Sequence, residues 1–389
     1  MDIILNDQNR KLEKLYSFIL DNDADACIIT SPVNKYWIYG IIFDGYLYIE
    51  PDKEPLLFVR RPVDLKQENV ITIRKPEQIP DLLHKAGRKS PKHLFLENDS
   101  LSYNSSKRLQ TAFDAKQVSN ISVGIRKMRS VKSEFELNQI RESAKIHVEI
   151  YDMIPSLYRV GMTDIELQIE IERQMRLHGS VGIFRSYGDN MDIYMGSMLA
   201  GDNAQKPSPF DFALGGEGFS PLLPIGANNT LLLPGMTLMV DMAGNFRPYM
   251  DDMSRTFAIE HAPEAAYNAH QVSIDIHNAV CNIAKAGTVC SEIFQIAEEI
   301  VKENNLQSNF MGTIQQAKFI GHGVGLEINE PPVLTHRSKE TLEPGVAFAL
   351  EPKFVLPGIG AVGIENTYIV NQHGLEKVTI CNEEIVTLK

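Results

Sequence analysis

Residues 237–257 read TLMVDMAGNFRPYMDDMSRTF, and the fold is decided there. An apolar strand carries Asp241, the segment GNFRPY makes a turn, and a return strand carries Asp252 ahead of Met253-Ser254-Arg255-Thr256. In such a hairpin the two aspartates project from neighbouring strands onto one face. Like charges placed there repel unless a cation or buried hydrogen bonds hold them. Taken alone, the stretch also reads as a turn with solvated acids.

Two later stretches add to it. Residues 319–334, FIGHGVGLEINEPPVL, set His322 between glycines, which let a backbone approach a ligand closely. A lone histidine is more often a satisfied core residue, but the glycines and Glu330-Pro331-Pro332 shift that balance. Residues 346–370, VAFALEPKFVLPGIGAVGIENTYIV, end one apolar strand on Glu351 and set Glu365 within another. Charges inside such strands are costly to bury without partners. Four carboxylates and one imidazole on apolar strands would carry strongly raised carboxyl pKa values if brought together without metal. Two divalent cations would balance them. Oxygen ligands with one histidine suit Mn²⁺ first, with Co²⁺, Zn²⁺ or Fe²⁺ as alternatives, and the lack of thiolates argues against a structural zinc site.

The order Asp, Asp, His, Glu, Glu, at spacings of 11, 70, 29 and 14, resembles the metal signature of the pita-bread metallopeptidases. That family includes methionine aminopeptidase, aminopeptidase P, prolidase and the metal-free creatinase. Its motifs are matched in order by VDMAGNFRPYMDDMSRTF, GHGVGLEINEPP, FALEPKF and GIENTYIV. IRKMRSVKSEFELNQIRESAKI resembles the start of its catalytic domain, and DADACIITSPVNKYWIYG the amino-terminal domain of the prolidase and creatinase branch. The resemblance implies an α/β creatinase-like amino-terminal domain over residues 1–123 and an α+β pita-bread catalytic domain over 124–389. It implies that Asp241 chelates one metal, that Asp252 and Glu365 bridge both, and that His322 and Glu351 hold the second. The implied activity is that of an aminopeptidase or dipeptidase of the Xaa-Pro type. A hydroxide activated by two metals would attack the scissile amide, with Glu351 as general base. The implied partners are a small peptide substrate and a second copy of the chain, as a homodimer.

The chain departs from the family at two histidines. The position seven residues after His322 is Asn329, which cannot carry a proton on and off near neutral pH. The other histidine would follow a motif seen here as GDNAQKP, residues 201–207, where the next residue is Ser208. Counting back from Asp241 gives Pro224 instead, which implies an insertion of about 16 residues, PFDFALGGEGFSPLLP. Asn329 and Ser208 are therefore the candidate substrate contacts, and residues 201–225 are expected to border the mouth of the site. Two other classes stay open: a metal-dependent hydrolase or lyase of a small non-peptide substrate, and a binding homologue without turnover.

The remaining features frame this. A chain of 389 residues with net charge −12 is long enough for two domains, and its acidity argues against nucleic acid or anionic membranes as partners. No secretory leader or membrane-spanning run is expected. Cys27, Cys281, Cys290 and Cys381 form no C-x-x-C pair and read as buried free thiols of a cytoplasmic protein. Helices are expected over residues 9–22, 132–155, after Thr163, and near 262–285 and 291–304. Residues 26–30 are a short apolar run closed by Ser31-Pro32, a stop signal, and strands are expected at 36–42, 46–49, 56–59, 70–73 and 93–96, with Asp44-Gly45 as a hairpin turn. Residues 198–230 read as one long loop.

Overall fold

The apolar run of residues 26–29 is buried on both faces, which requires a strand inside a sheet covered on each side. The computed structural model describes residues 2–188 and 195–389, and the chain divides into two units, Met1–Arg129 and Ser130–Lys389. In the first unit, α1 (Asp2–Asp21) is followed by β1 (Ala26–Ile29), α2 (Pro32–Tyr39), β2 (Asp44–Ile49), β3 (Leu56–Arg61) and β4 (Val70–Thr72). Then come α3 (Ile79–Lys85), β5 (His93–Leu96), α4 (Tyr103–Phe113), β6 (Gln117–Asn120) and α5 (Ser122–Ser130). The six strands form one sheet in the order β4-β3-β2-β1-β5-β6, with β1 antiparallel to β2 and parallel to β5.

Two expectations fail in this unit. Residues 36–42 are not a strand, because α2 begins directly after Ser31. Proline suits the first helical turn, where its missing N–H has no intrahelical role. The donors at that end are taken by Glu97, which accepts hydrogen bonds from Thr30 N, from Ser31 N at 2.7 Å and from Asn34 Nδ2 at 2.6 Å. Gly40 ends the helix in the left-handed conformation at φ 68°. Asp44-Gly45 is likewise no turn but the start of β2, at an irregularity in its pairing with β3. A Cβ on Gly45 would come within 2.0 Å of Phe58 O, so close strand approach, not chain reversal, explains that glycine.

The second unit contains α6 (Glu134–Leu157), α7 (Asp164–Leu177), β7 (Gly196–Ala200), β8 (Thr237–Gly244), β9 (Asp251–Ile259), α8 (Glu264–Ile283) and α9 (Cys290–Glu303). It continues through β10 (Phe319–Gly323), β11 (Glu330–Thr335), β12 (Ala347–Leu350), β13 (Lys353–Leu356), β14 (Gly360–Gly363), β15 (Asn366–Asn371), β16 (Gly374–Lys377) and β17 (Val386–Leu388). Ser133 and Thr163 cap α6 and α7, each in a reciprocal pair with a glutamate three residues on. The strands form a four-stranded sheet, β17-β9-β8-β7, a five-stranded sheet, β11-β10-β12-β15-β16, and the ribbon β13-β14. Within the stretch read as a loop, residues 198–200 belong to β7, which pairs antiparallel with β8.

Each sheet is backed by two helices. Ile150, Ile154, Leu167 and Ile171 of α6 and α7 pack with Leu238, Val240, Met242, Met253 and Phe257 of the first sheet. Ile276, Val280, Ile293 and Ala297 of α8 and α9 pack with Phe348, Leu350, Tyr368 and Val370 of the second. Side chains alternate across a strand, so the opposite faces carry Asp241, Asp252, Ala349 and Thr367.

Among the described residues the four cysteines are unpaired; Cys27 and Cys290 are buried, but Cys281 is exposed, unlike the expectation. No helix among the described residues is long and apolar enough to cross a membrane.

Candidate metal centre

The hairpin β8–β9 sets the two aspartates by register. Asp241 lies opposite Ser254, and Asp252 opposite Ala243, so the acids sit diagonally on one face. Asp252 N donates to Thr367 Oγ1 at 2.8 Å, and Thr367 Oγ1 donates to Asp252 O at 2.9 Å, which ties β9 to β15. Glu365 lies two residues before Thr367, and its N–H donates to Ser254 O at 3.1 Å. His322 arrives by a different device. Between Phe319 and His322 the register of β10 against β11 slips by one residue, and such a bulge re-aims the side chains after it. His322 then pairs with Ala349 on β12, two residues before Glu351.

The five predicted side chains therefore meet. His322 Nε2 lies 3.5 Å from Glu351 Oε1 and 3.9 Å from Asp252 Oδ2. Donor atoms of Asp252, His322 and Glu365 lie within 4.8 Å of one another, and those of Asp241, Glu351 and Glu365 form a second such group. Glu365 Oε2 accepts from Ser254 Oγ at 2.6 Å, while the buried Oε1 has no partner among the described residues.

A sixth side chain, unforeseen in the sequence, occupies the second group. Lys353 Nζ donates to Glu351 Oε2 at 2.7 Å, Asp241 Oδ2 at 2.8 Å and Glu365 Oε2 at 3.0 Å, and its side chain is 0% exposed. Its signal was in FALEPKF: a lysine two residues after Glu351 in an apolar run needs a buried partner. Behind the cluster, Arg255 was also passed over. Its guanidinium donates to Ser254 O and Glu365 O, both at 2.8 Å, to Asn366 Oδ1 at 2.9 Å, and to Asn382 O at 2.7 Å.

Burial disfavours charge throughout this cluster. It pushes Asp252 well above the usual carboxylate range, and the charges of Glu365, Asp241 and Glu351 push further. Glu365 rises to about 8 through burial and the neighbouring Glu351. Glu351 is raised by burial, although Lys353 pulls it back. Burial lowers His322 and favours the neutral imidazole a metal requires. Burial alone would lower Lys353, but Asp241, Glu351 and Glu365 outweigh it and hold the ammonium charged.

The other two candidates, Asn329 and Ser208, bond to main-chain groups. Asn329 Nδ2 donates to Tyr187 O at 2.7 Å and its Oδ1 accepts from Tyr187 N at 2.7 Å, so the carboxamide is spent on main chain. Ser208 Oγ donates to Pro224 O at 2.8 Å and accepts from Phe210 N at 3.2 Å. Ser208 lines a cavity of about 350 Å³ with Phe319, Val333 and Thr335, and none of the five cluster residues lines it. The inserted segment approaches the cluster instead through Phe212, which packs with Phe184, Ala243, Met250 and Ile328.

Residues 138–372 match the model of metallopeptidase family M24, and residues 11–131 match the creatinase/prolidase N-terminal domain. The chain belongs to metallopeptidase family M24. A relative from Pyrococcus furiosus, a Xaa-Pro dipeptidase, is 24% identical over 97% of this chain and 99% of its own length. Among solved structures, the Xaa-Pro dipeptidase from Bacillus anthracis superposes with a TM-score of 0.82, at 23% identity over 98% of this chain and all of that one. The X-Pro aminopeptidase from Thermotoga maritima does so at 0.77, with 21% identity over 94% of this chain and 98% of that one. These likenesses establish the M24 fold with its creatinase-type amino-terminal domain.

Divalent metal ions are what the M24 family implies. The orphaned Glu365 Oε1, the neutral imidazole and Asp252 fit one such ion. They do not fit two, because an ammonium stands among the oxygens of the second group.

Proposed function

We propose that this chain is a metal-dependent peptidase of the Xaa-Pro type, with Glu351 as its general base. The observation that carries the reading is the convergence of Asp252, His322, Glu351 and Glu365 in a chain of family M24. The relatives named Xaa-Pro dipeptidase match over nearly its whole length. A divalent cation held by Asp252, His322 and Glu365 would supply Lewis acidity, polarising a carbonyl and lowering the pKa of water.

The chain's own groups would do the rest. Lys353 holds Glu351 Oε2 and leaves Oε1 to take a proton from the attacking water and pass it to the leaving nitrogen. Phe212, Phe184 and Ile328 form an apolar wall beside Ala243, two residues from Asp241, and suit the ring of a prolyl residue. Asn329 acts by fastening residues 185–187 to residues 328–329, which sets where that wall stands. Ser208 shapes the inserted loop behind it. The oxygen-rich donor set suits Mn²⁺. The free thiols fit a reducing, cytoplasmic setting, and a homodimer is part of the same reading, to be checked by light scattering.

The test is turnover of Xaa-Pro and Xaa-Ala dipeptides with added Mn²⁺, beside a Glu351→Gln protein. Hydrolysis favouring Xaa-Pro, lost in the variant, is expected. No hydrolysis of either by metal-loaded protein would overturn the reading and leave the non-peptide hydrolase or binding classes.

A further inference from the structure

We propose that this centre takes one divalent cation per chain, at Asp252, His322 and Glu365, and that the Lys353 ammonium permanently replaces a second. The inference deepens the function proposed above and rests on its cation-binding half, not on its peptide specificity.

An ammonium has three N–H donors, and here each meets a different carboxylate. The separations, 2.7, 2.8 and 3.0 Å, are those of charge-assisted hydrogen bonds. A metal among the same oxygens would sit at about 2.0–2.2 Å from each, in the space that Nζ fills. Keeping both would press a divalent cation against an ammonium in a buried site, where charges are poorly screened.

Lys353 has nowhere to withdraw. It opens β13, paired with Gly363, and its carbonyl accepts from Met311 N at 2.8 Å. The residue is 0% exposed, and swinging out would strand two buried carboxylates, Glu351 and Glu365, and the half-buried Asp241.

The other group has the opposite character. His322 Nε2 stands 3.9 Å from Asp252 Oδ2. This gap is too long for a hydrogen bond, yet within the reach of two ligand atoms about 2.0–2.2 Å from one shared ion. Glu365 divides its oxygens accordingly: Oε2 serves Lys353, and the buried Oε1 has no protein partner among the described residues.

The experiment counts ions. Full-length protein is chelated, refilled with Mn²⁺ and freed of excess, and the metal is measured by elemental analysis and electron paramagnetic resonance. The expected result is one Mn²⁺ per chain with the uncoupled signal of an isolated ion. Lys353→Met should raise the content twofold and introduce exchange coupling between neighbouring ions. Should that variant fail to fold, Asp241→Asn serves: Asp241 touches Lys353 and not the remaining position, so the content should stay at one, whereas His322→Ala should lose it. Two coupled ions in the parent, none in the parent, one ion in folded Lys353→Met, or loss of the ion in Asp241→Asn would each overturn the proposal. All these readouts are independent of turnover, so failed hydrolysis with a single bound ion would count against the peptidase reading alone.

Discussion

Each unit of this chain buries a lysine and a glutamate, and the outcomes are opposite. In the amino-terminal unit, Lys35 Nζ donates to Phe43 O at 2.9 Å and lies 4.7 Å from the Phe43 ring centre. Burial pulls its pKa down to about 8, against only partial support from Glu97 and Asp44. In the second unit, Lys353 is buried at least as deeply, yet three carboxylates carry it well above its ordinary value. The glutamates contrast in the same way. Both oxygens of Glu97 accept protein donors, from Thr30, Ser31 and Asn34. Glu365 keeps one oxygen without any among the described residues. Burial alone therefore does not distinguish structural from functional charge. The distinction lies in whether the protein itself completes the partners, and an incomplete set calls for a ligand.

The contrast can be broken at several points. The largest effect should follow Glu351→Gln, which removes the free oxygen Oε1 as a base. Peptide turnover should fall about 10²–10⁴-fold in steady-state kinetics, with the thermal transition retained. An unchanged rate would remove Glu351 from the chemistry. Next, chelation should lower the melting point of metal-loaded protein by roughly 3–5 °C. That corresponds to ~2.7 kcal/mol when the ion was present at about a hundred times its dissociation constant. A protein shown to hold metal whose melting ignores EDTA would contradict the view that Glu365 and Asp252 await a partner.

Glu97→Gln should do the reverse of Glu351→Gln. Denaturant titration should report a loss of about 2 kcal/mol, since buried donors lose a charged acceptor, while turnover and metal content stay put. A loss of metal there would erase the distinction between the units. The smallest effect concerns pH. Lys35 binds its proton less tightly folded than unfolded, so between about pH 8 and its ordinary value of 10.5 the unfolded chain holds more protons. Stability should accordingly rise with pH across that window, relative to Lys35→Met. Parallel stability curves for the two proteins would mean Lys35 is not desolvated.

The hairpin carrying Asp241 and Asp252 was legible because an apolar run and a return strand flank a turn, and the two constraints agree. His322, Glu351 and Glu365 were legible as charges in costly places. Three features were not. The helix α2 was masked because Ser31-Pro32 reads as a stop, and its cap, Glu97, lies far along the chain. The strand β7 was hidden because Met198-Leu199-Ala200 run straight into the Gly- and Pro-rich stretch that follows. Gly196 runs so close to β8 that a Cβ there would meet Asp241 O at 2.2 Å, a packing requirement that composition does not display. Lys353 was hidden because two divalent cations already balance four carboxylate charges, and the chain's own cation was left out of that balance. Its three partners come from β8, the end of β12 and the start of β15, a meeting no local window displays.

Arg255 gives the carboxyl-terminal region an unexpected part in the chemistry. Its guanidinium joins the carbonyls of Ser254 and Glu365 to those of Thr379 and Asn382. Asn366, the neighbour of Glu365, also donates to Glu383 Oε1 at 2.8 Å. Residues 379–383 thus act as a buttress behind a wall they never face. Trimming the chain back past Thr379 would register in an assay as an injured active centre, although every group that touches the ion would still be present.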